Sequence, residues 1–256
     1  MSPGKDNEAG DGLAGQVAVV VGAAGGIGRA VAARLAGGGC RLALVDLDQA
    51  ALDRLLGDLG LGESAIALPT DIRDRVQVER MAAEVERRLG GIRILINGAG
   101  INTQQRTLDD LSPEQWDRVI AVNLTGVFHC TQALLRLMRK TGGTVVNIAS
   151  TAGRVASPGG GTHYCASKRA VLSLTESINL EQGRHGIRAC AISPGEVDTP
   201  LIDRRPQPVS AERRAAMLRP EDVADAVYYV VTRPPRVTVT ELVIYPSAQV
   251  SGLYVV

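Results

Sequence analysis

Seven short, almost uninterrupted apolar runs punctuate this chain, at 17–21, 41–45, 65–68, 92–96, 144–149, 187–192 and 241–245. Continuous rather than alternating apolar character marks strands buried on both faces, the condition of a parallel sheet covered by helices. Helical patterns fall between them near 26–37, 48–59, 73–89, 113–140, 164–183 and 220–232. Strand and helix alternate almost to the end, which predicts an α/β, doubly wound architecture: one seven-stranded parallel sheet with helices on both faces. No linker or internal repeat divides residues 13–256, so they read as one domain. Residues 1–12 are polar and Gly-rich and read as a disordered tail. Segment 198–219, with three prolines and an Arg-rich stretch, breaks the rhythm. It reads as a partly apolar substrate lid over the sheet's carboxyl edge, where such folds bind ligands.

Composition narrows the partners. Hydrophobic residues make up 45% of the chain but aromatics only 3%, so aliphatic side chains must fill the core. The 28 basic and 27 acidic residues nearly cancel, leaving no basic field for nucleic acid or an anionic membrane. No apolar run has membrane-spanning length. Cys40, Cys130, Cys165 and Cys190 are scattered without metal-ligand spacing and suit reduced thiols in a cytoplasmic protein.

The turn Gly22-Ala23-Ala24-Gly25-Gly26-Ile27-Gly28 follows the first run and opens the first helix. Glycines there let backbone approach a pyrophosphate, and the helix start supplies amides and partial positive charge. Asp46 ends the second run; an acid about 20 residues after the glycines binds a ribose 2′-hydroxyl and repels a 2′-phosphate. Leu47 after Asp46, and Gly25 in the turn, place no basic residue for a 2′-phosphate. The expectation is NAD. Asp48 reads as a helix cap. Asp71, with Ile72 after it, could hold the adenine edge, cap the following helix, or both.

Tyr164 and Lys168 lie four residues apart, on one face of a predicted helix. Lowering a phenol from pKa ~10 to about 7 takes ~4 kcal/mol. One cation ~4 Å away at an effective dielectric of ~20 supplies about that much. Taken alone, the pair is an ordinary helix contact.

The surrounding motifs change that reading. Val21-Gly22 through Gly28, Asn97-Gly98-Ala99-Gly100, Asn123 in Val122-Asn123-Leu124-Thr125-Gly126, Ser150 in Asn147-Ile148-Ala149-Ser150-Thr151, Tyr164 with Lys168, and Pro194-Gly195-Glu196-Val197-Asp198-Thr199-Pro200 occur in the order found in one family. The chain resembles the short-chain dehydrogenase/reductases from Val17 to about Gln249, within a Rossmann-type fold. Its carboxyl end and Ala152-Gly153-Arg154-Val155 resemble a bacterial subgroup that includes NAD(P)-dependent alcohol and 3-hydroxy-acid dehydrogenases. Val21 and Gly98 depart from the usual Thr and Asn.

The resemblance implies an oxidoreductase that moves a hydride between NAD(H) and a secondary alcohol or carbonyl. Tyr164 would be the general acid/base, with Lys168 lowering its pKa, Ser150 holding the substrate oxygen and Asn123 helping to hold a water beside Lys168. Gly22, Gly26, Ile27, Gly28, Asp46, Asp71, Ile72, Asn97, Ala99, Gly100, Tyr164, Lys168, Pro194, Gly195, Val197 and Thr199 would line the cofactor. Ser150, Thr151, Val155, His163, Tyr164, Glu196 and Val197 would face the substrate in a weakly charged pocket suited to an uncharged compound. Arg154 reads as a surface arginine. A homotetramer is implied too, packed through the helices near 113–140 and 164–183. The alternatives are a catalytically inactive NAD-binding sensor or assembly protein on the same fold, and a sugar-nucleotide epimerase, for which the chain is short of a substrate domain.

Overall fold

All seven apolar runs become strands of one parallel sheet. The computed structural model describes residues 12–250; the expected tail lies outside them except for Gly12. The strands are β1 (Val17–Val21), β2 (Arg41–Asp46), β3 (Ala65–Pro69), β4 (Ile94–Asn97), β5 (Gly143–Ile148), β6 (Ile187–Pro194) and β7 (Glu241–Ile244). Their spatial order is β3-β2-β1-β4-β5-β6-β7, and every pairing is parallel. The order reverses between β1 and β4, and a crevice opens at the carboxyl ends there.

The helices are α1 (Gly26–Gly37), α2 (Gln49–Leu59), α3 (Arg75–Leu89), α4 (Pro113–Ile120), α5 (Val127–Met138), α6 (Thr151–Arg154), α7 (Thr162–Gln182), α8 (Ala211–Ala215), α9 (Pro220–Val231) and α10 (Ser247–Val250). Side chains alternate across each strand, so an all-apolar strand feeds two cores. Ala18 and Val20 join the layer of Val31, Leu35, Leu52 and Val227 from α1, α2 and α9. Val17, Val19 and Val21 join that of Val78, Val85, Leu134 and Ile178 from α3, α5 and α7. Among the described residues no helix is long and apolar enough to cross a membrane.

Two local outcomes differ from expectation. The long helix expected over 113–140 is broken by a π-helical turn, Ala121–Gly126, between α4 and α5. At its centre Asn123 is fully buried. Wide turns of this kind cluster at functional sites. Asp71 does not cap α3. Asp74 does, accepting from the Val76 and Gln77 N–H groups, while Asp71 pairs with Arg73 at 2.6 Å. Asp48 caps α2 as expected, accepting from Ala51 N–H at 3.0 Å.

Candidate active site

The glycine turn and the β4 turn close the crevice from two sides. Gly22 has φ +80°, and a Cβ there would lie 2.6 Å from the Ala99 nitrogen; one at Gly28 would lie 2.0 Å from the Gly22 carbonyl oxygen. Both positions therefore require glycine for packing. At Gly26 the neighbour is Thr199, whose Cγ2 would be 2.9 Å from an added Cβ, so Thr199 sits directly over the turn. No side chain caps α1 at Gly25, and its first turn holds no acid. The N–H groups there are the unsatisfied donors of any helix start, open to an anion. Asp46 is tied to the same turn: its Oδ2 accepts from Ala24 N–H at 3.0 Å and its Oδ1 from Leu47 N–H at 2.7 Å.

A cleft of about 670 Å³ runs from Ile27, Gly98 and Gly100 past Ser150, Tyr164 and Lys168 to Pro194, Gly195, Val197 and Thr199. Its shape follows from close packing. A Cβ at Gly153 would fall 2.7 Å from the Lys168 backbone, so α6 lies flush on α7. Ser150 caps α6, its Oγ accepting from Ala152 N–H at 3.2 Å, and it lines the cleft together with Tyr164. One turn further along α7, Lys168 is 4% exposed and donates to the Ile148 carbonyl at 2.7 Å. Its Nζ lies 5.7 Å from the centre of the Tyr164 ring.

Burial governs both groups. It raises the Tyr164 phenol above its ordinary value, against the Ser150 hydrogen bond and the charges of Arg106 and Arg205, which lower it. It depresses Lys168 to about 8. Lys168 was expected to lower the phenol. In this structure the lysine gives one of its three N–H donors to a backbone carbonyl, and the influences that lower the phenol are Ser150 and two arginines.

Asn123 is fully engaged by protein. Its Oδ1 accepts from Ile101 N–H at 2.8 Å, and its Nδ2 donates to the Ile101 carbonyl at 3.0 Å and to Ser167 Oγ at 3.2 Å. The side chain bolts the loop after β4 to α7. Asn97 is 2% exposed and turned into the core, donating to Thr131 and Asn147, so only its backbone borders the crevice. Ile72 is likewise 7% exposed and packs where Gly126 leaves room. His163 is buried behind the pocket wall, with Nε2 2.7 Å from Thr103 Oγ1; it does not line the cleft. Thr151, Val155, Glu196 and Val197 do. Arg154 pairs with Glu241 outside the crevice.

Sequence reasoning missed Arg106, Arg205 and Arg213, which also line the cleft and overturn the expectation of a weakly charged pocket. Segment 198–219 is fastened at its base by backbone hydrogen bonds, Leu218 N–H to the Glu196 carbonyl at 3.0 Å and Asp198 N–H to the Leu218 carbonyl at 2.8 Å. Within it Arg214 bridges Asp198 and Asp203 at 2.5 and 2.8 Å. Leu201 and Ile202 line the cleft.

The family model described as short chain dehydrogenase matches residues 16–209. The chain belongs to the short-chain dehydrogenase family. It is 39% identical over 237 residues to a human (3R)-3-hydroxyacyl-CoA dehydrogenase, covering 85% of this chain and 88% of the relative. A Staphylococcus aureus protein described only as an uncharacterized oxidoreductase is 32% identical over 235 residues, covering 91% of this chain and 98% of that protein. Among solved structures, a 3-ketoacyl-(acyl-carrier-protein) reductase from Brucella melitensis complexed with NADH superposes with a TM-score of 0.82 at 29% identity, covering 92% of this chain and 98% of the other. An alcohol dehydrogenase from the archaeon Thermococcus sibiricus complexed with 5-hydroxy-NADP gives 0.82 at 28% identity, with 91% and 97% covered. Short-chain dehydrogenases are oxidoreductases, and this chain shares both their fold and the order of their motifs.

Proposed function

We propose that this short-chain dehydrogenase oxidises a secondary alcohol, or reduces the corresponding carbonyl, using NAD(H). The observation that carries the reading is that Ser150, Tyr164 and Lys168 together line a cleft that begins at the glycine turn. The residues fit a dinucleotide. The uncapped helix start suits a pyrophosphate, Asp46 suits an unphosphorylated ribose, and Thr199 with Gly195 borders the inner end. A bound nicotinamide supplies the hydride acceptor or donor.

Tyr164 takes the alcohol proton on its hydroxyl oxygen, or returns it to the carbonyl oxygen in reduction. Ser150 donates to that same substrate oxygen and limits the cost of its developing charge. Lys168 holds the cofactor ribose and, once drawn toward it, adds positive charge beside the phenol. Asn123 keeps the loop after β4 and α7 in register, so that Gly100 and Lys168 share one wall. The names of the similar proteins, hydroxyacyl and ketoacyl enzymes and an alcohol dehydrogenase, support a hydroxyl or carbonyl substrate. They do not separate NAD from NADP, so the preference rests on Asp46. We further infer a cytoplasmic homotetramer, supported by the free cysteines and by Phe128 on α5 and Leu180 on α7, 42% and 86% exposed.

The test is absorbance of the reduced nicotinamide with NAD and NADP across a panel of secondary alcohols. NAD-dependent turnover is expected. Equal or better activity with NADP refutes the role of Asp46. Tight NADH binding without turnover of any substrate favours the sensor reading instead.

A further inference from the structure

The cleft beside Tyr164 carries more positive charge than the proposed chemistry uses. Its charged lining residues are Arg106, Lys168, Arg205 and Arg213 against the single acid Glu196. Lys168 donates to the Ile148 carbonyl and is assigned above to the cofactor ribose. Arg106, 7% exposed, spends its guanidinium on the carbonyls of Thr103, Gly159 and Arg204 and makes no ion pair among the described residues. Glu196 is held by two arginines at once. Arg213 grips it with two bonds, Nη2 to Oε1 at 2.7 Å and Nε to Oε2 at 3.1 Å. Arg205 forms an ion pair with it, Nη2 lying 2.7 Å from Oε1.

The two arginines are not equivalent. The Arg213 side chain is 60% exposed and committed to Glu196 through its fork, whereas that of Arg205 is 19% exposed and touches the carboxylate at one corner. A guanidinium has five donors in a rigid plane and pairs best with a carboxylate or phosphate. A largely buried cation that shares its counter-ion with a second cation leaves about one positive charge uncompensated, and charges so placed are costly unless paired. The same arginine lies close enough to Tyr164 to lower the phenol's pKa. Its charge therefore stands near the reacting atoms.

We propose that Arg205 is the receptor for an anionic group carried by the substrate, so that the enzyme acts on hydroxy or oxo compounds bearing a carboxylate or phosphate a few bonds from the reacting carbon. Glu196 is then a positioning residue. It holds Arg205 in the lining of the cleft. Arg205 and Arg213 both ride on segment 198–219, while Glu196 lies two residues past the end of β6, so binding the anion also fastens that segment to the sheet edge. The inference rests on the oxidoreductase reading for its substrate, but not for its anion.

Two measurements separate the two claims. In the first, the kcat/KM values of 2-, 3- and 4-hydroxy acids with secondary hydroxyls are compared with those of their methyl esters, with 2-hydroxypropyl phosphate as the phosphate arm. The wild type should prefer at least one acid, or the phosphate, by about tenfold or more, the ratio one charge-assisted hydrogen bond supplies. Which arm wins identifies the anion. Arg205→Ala should erase the preference, mainly through KM, and Arg205→Lys should restore part of it. In the second, succinate and dimethyl succinate are titrated calorimetrically into the NADH-loaded protein, which needs no turnover. Succinate should bind the wild type at least about tenfold more tightly than the ester and Arg205→Ala no better than the ester. Equal turnover of esters, neutral thioesters and acids, with equal binding of both probes, overturns the anion site and leaves the dehydrogenase reading standing. Selective succinate binding without any turnover does the reverse.

Discussion

Lys168 should make folding stability depend on pH in a way a surface lysine cannot. It is 4% exposed, its amine contacts only a backbone carbonyl, and burial depresses it from 10.5 to about 8. Between those values the unfolded chain binds a proton that the folded protein does not, so this group makes stability rise with pH from about 8 toward 10.5. The full window is worth roughly 3 kcal/mol, and the part between pH 7 and pH 9 about 1 kcal/mol. Buried thiols work in the opposite direction: Cys40 is pushed up to about 11 and Cys130 to about 12, so both lose stability as the unfolded chain ionises. A wild-type curve alone therefore mixes signs. Comparison with Lys168→Met cancels the thiols, because both proteins contain them. Equilibrium urea unfolding from pH 7 to pH 9 should show the wild type gaining about 1 kcal/mol relative to the methionine variant. Parallel curves would mean that the lysine titrates normally in the folded protein, and the burial argument would be wrong.

Three further substitutions probe the scaffold and the cofactor site. Gly28→Ala places a methyl 2.0 Å from the Gly22 carbonyl oxygen; it should cost about 1–3 kcal/mol by urea unfolding and weaken NADH binding more than tenfold by fluorescence titration. Asn147→Ala breaks a buried chain in which Asn97 donates to Asn147 at 2.8 Å and Asn147 to Thr175 at 2.9 Å; a loss of about 1–3 kcal/mol is expected, and a neutral result would show the chain dispensable. Asp46→Ser should shift the ratio of NAD to NADP affinity toward NADP by about tenfold or more, while an unchanged ratio would remove the carboxylate from cofactor selection.

The sheet was legible because strands buried on both faces have no polar alternation to confuse with a helix: 17–21 is apolar throughout and all five residues are buried. Edges were less so. The run at 92–96 begins two residues before β4, because pairing with β1 starts only at Ile94 opposite Ala18. Asn123 announced itself as a polar residue in an apolar helix, and the structure answers with a π turn and three side-chain hydrogen bonds. Its role as a bolt between loop and helix depends on contacts 22 and 44 residues away, which no local pattern encodes. Asp71 misled because α3 starts at Arg75, two residues later than the pattern suggested, which puts Asp74 at its cap. The arginines of the cleft were hardest to see. Arg205 and Arg213 stood out merely as part of an Arg-rich loop, and they meet Glu196 because the Val197–Leu218 bridge folds that loop back on β6. Arg106 gave no signal, since nothing in its neighbourhood distinguishes a buried guanidinium from an exposed one.

The central claim is that Tyr164 moves the proton while the rest of the cleft holds cofactor and substrate. Tyr164→Phe removes one oxygen from the cleft lining and leaves the ring packing in place. The measurement is a pair of readings on that variant, NADH affinity by fluorescence and single-turnover hydride transfer by absorbance, beside the wild type. The account predicts NADH affinity within about threefold of wild type and hydride transfer slowed by about a hundredfold or more. Hydride transfer at the wild-type rate in the phenylalanine variant would contradict it.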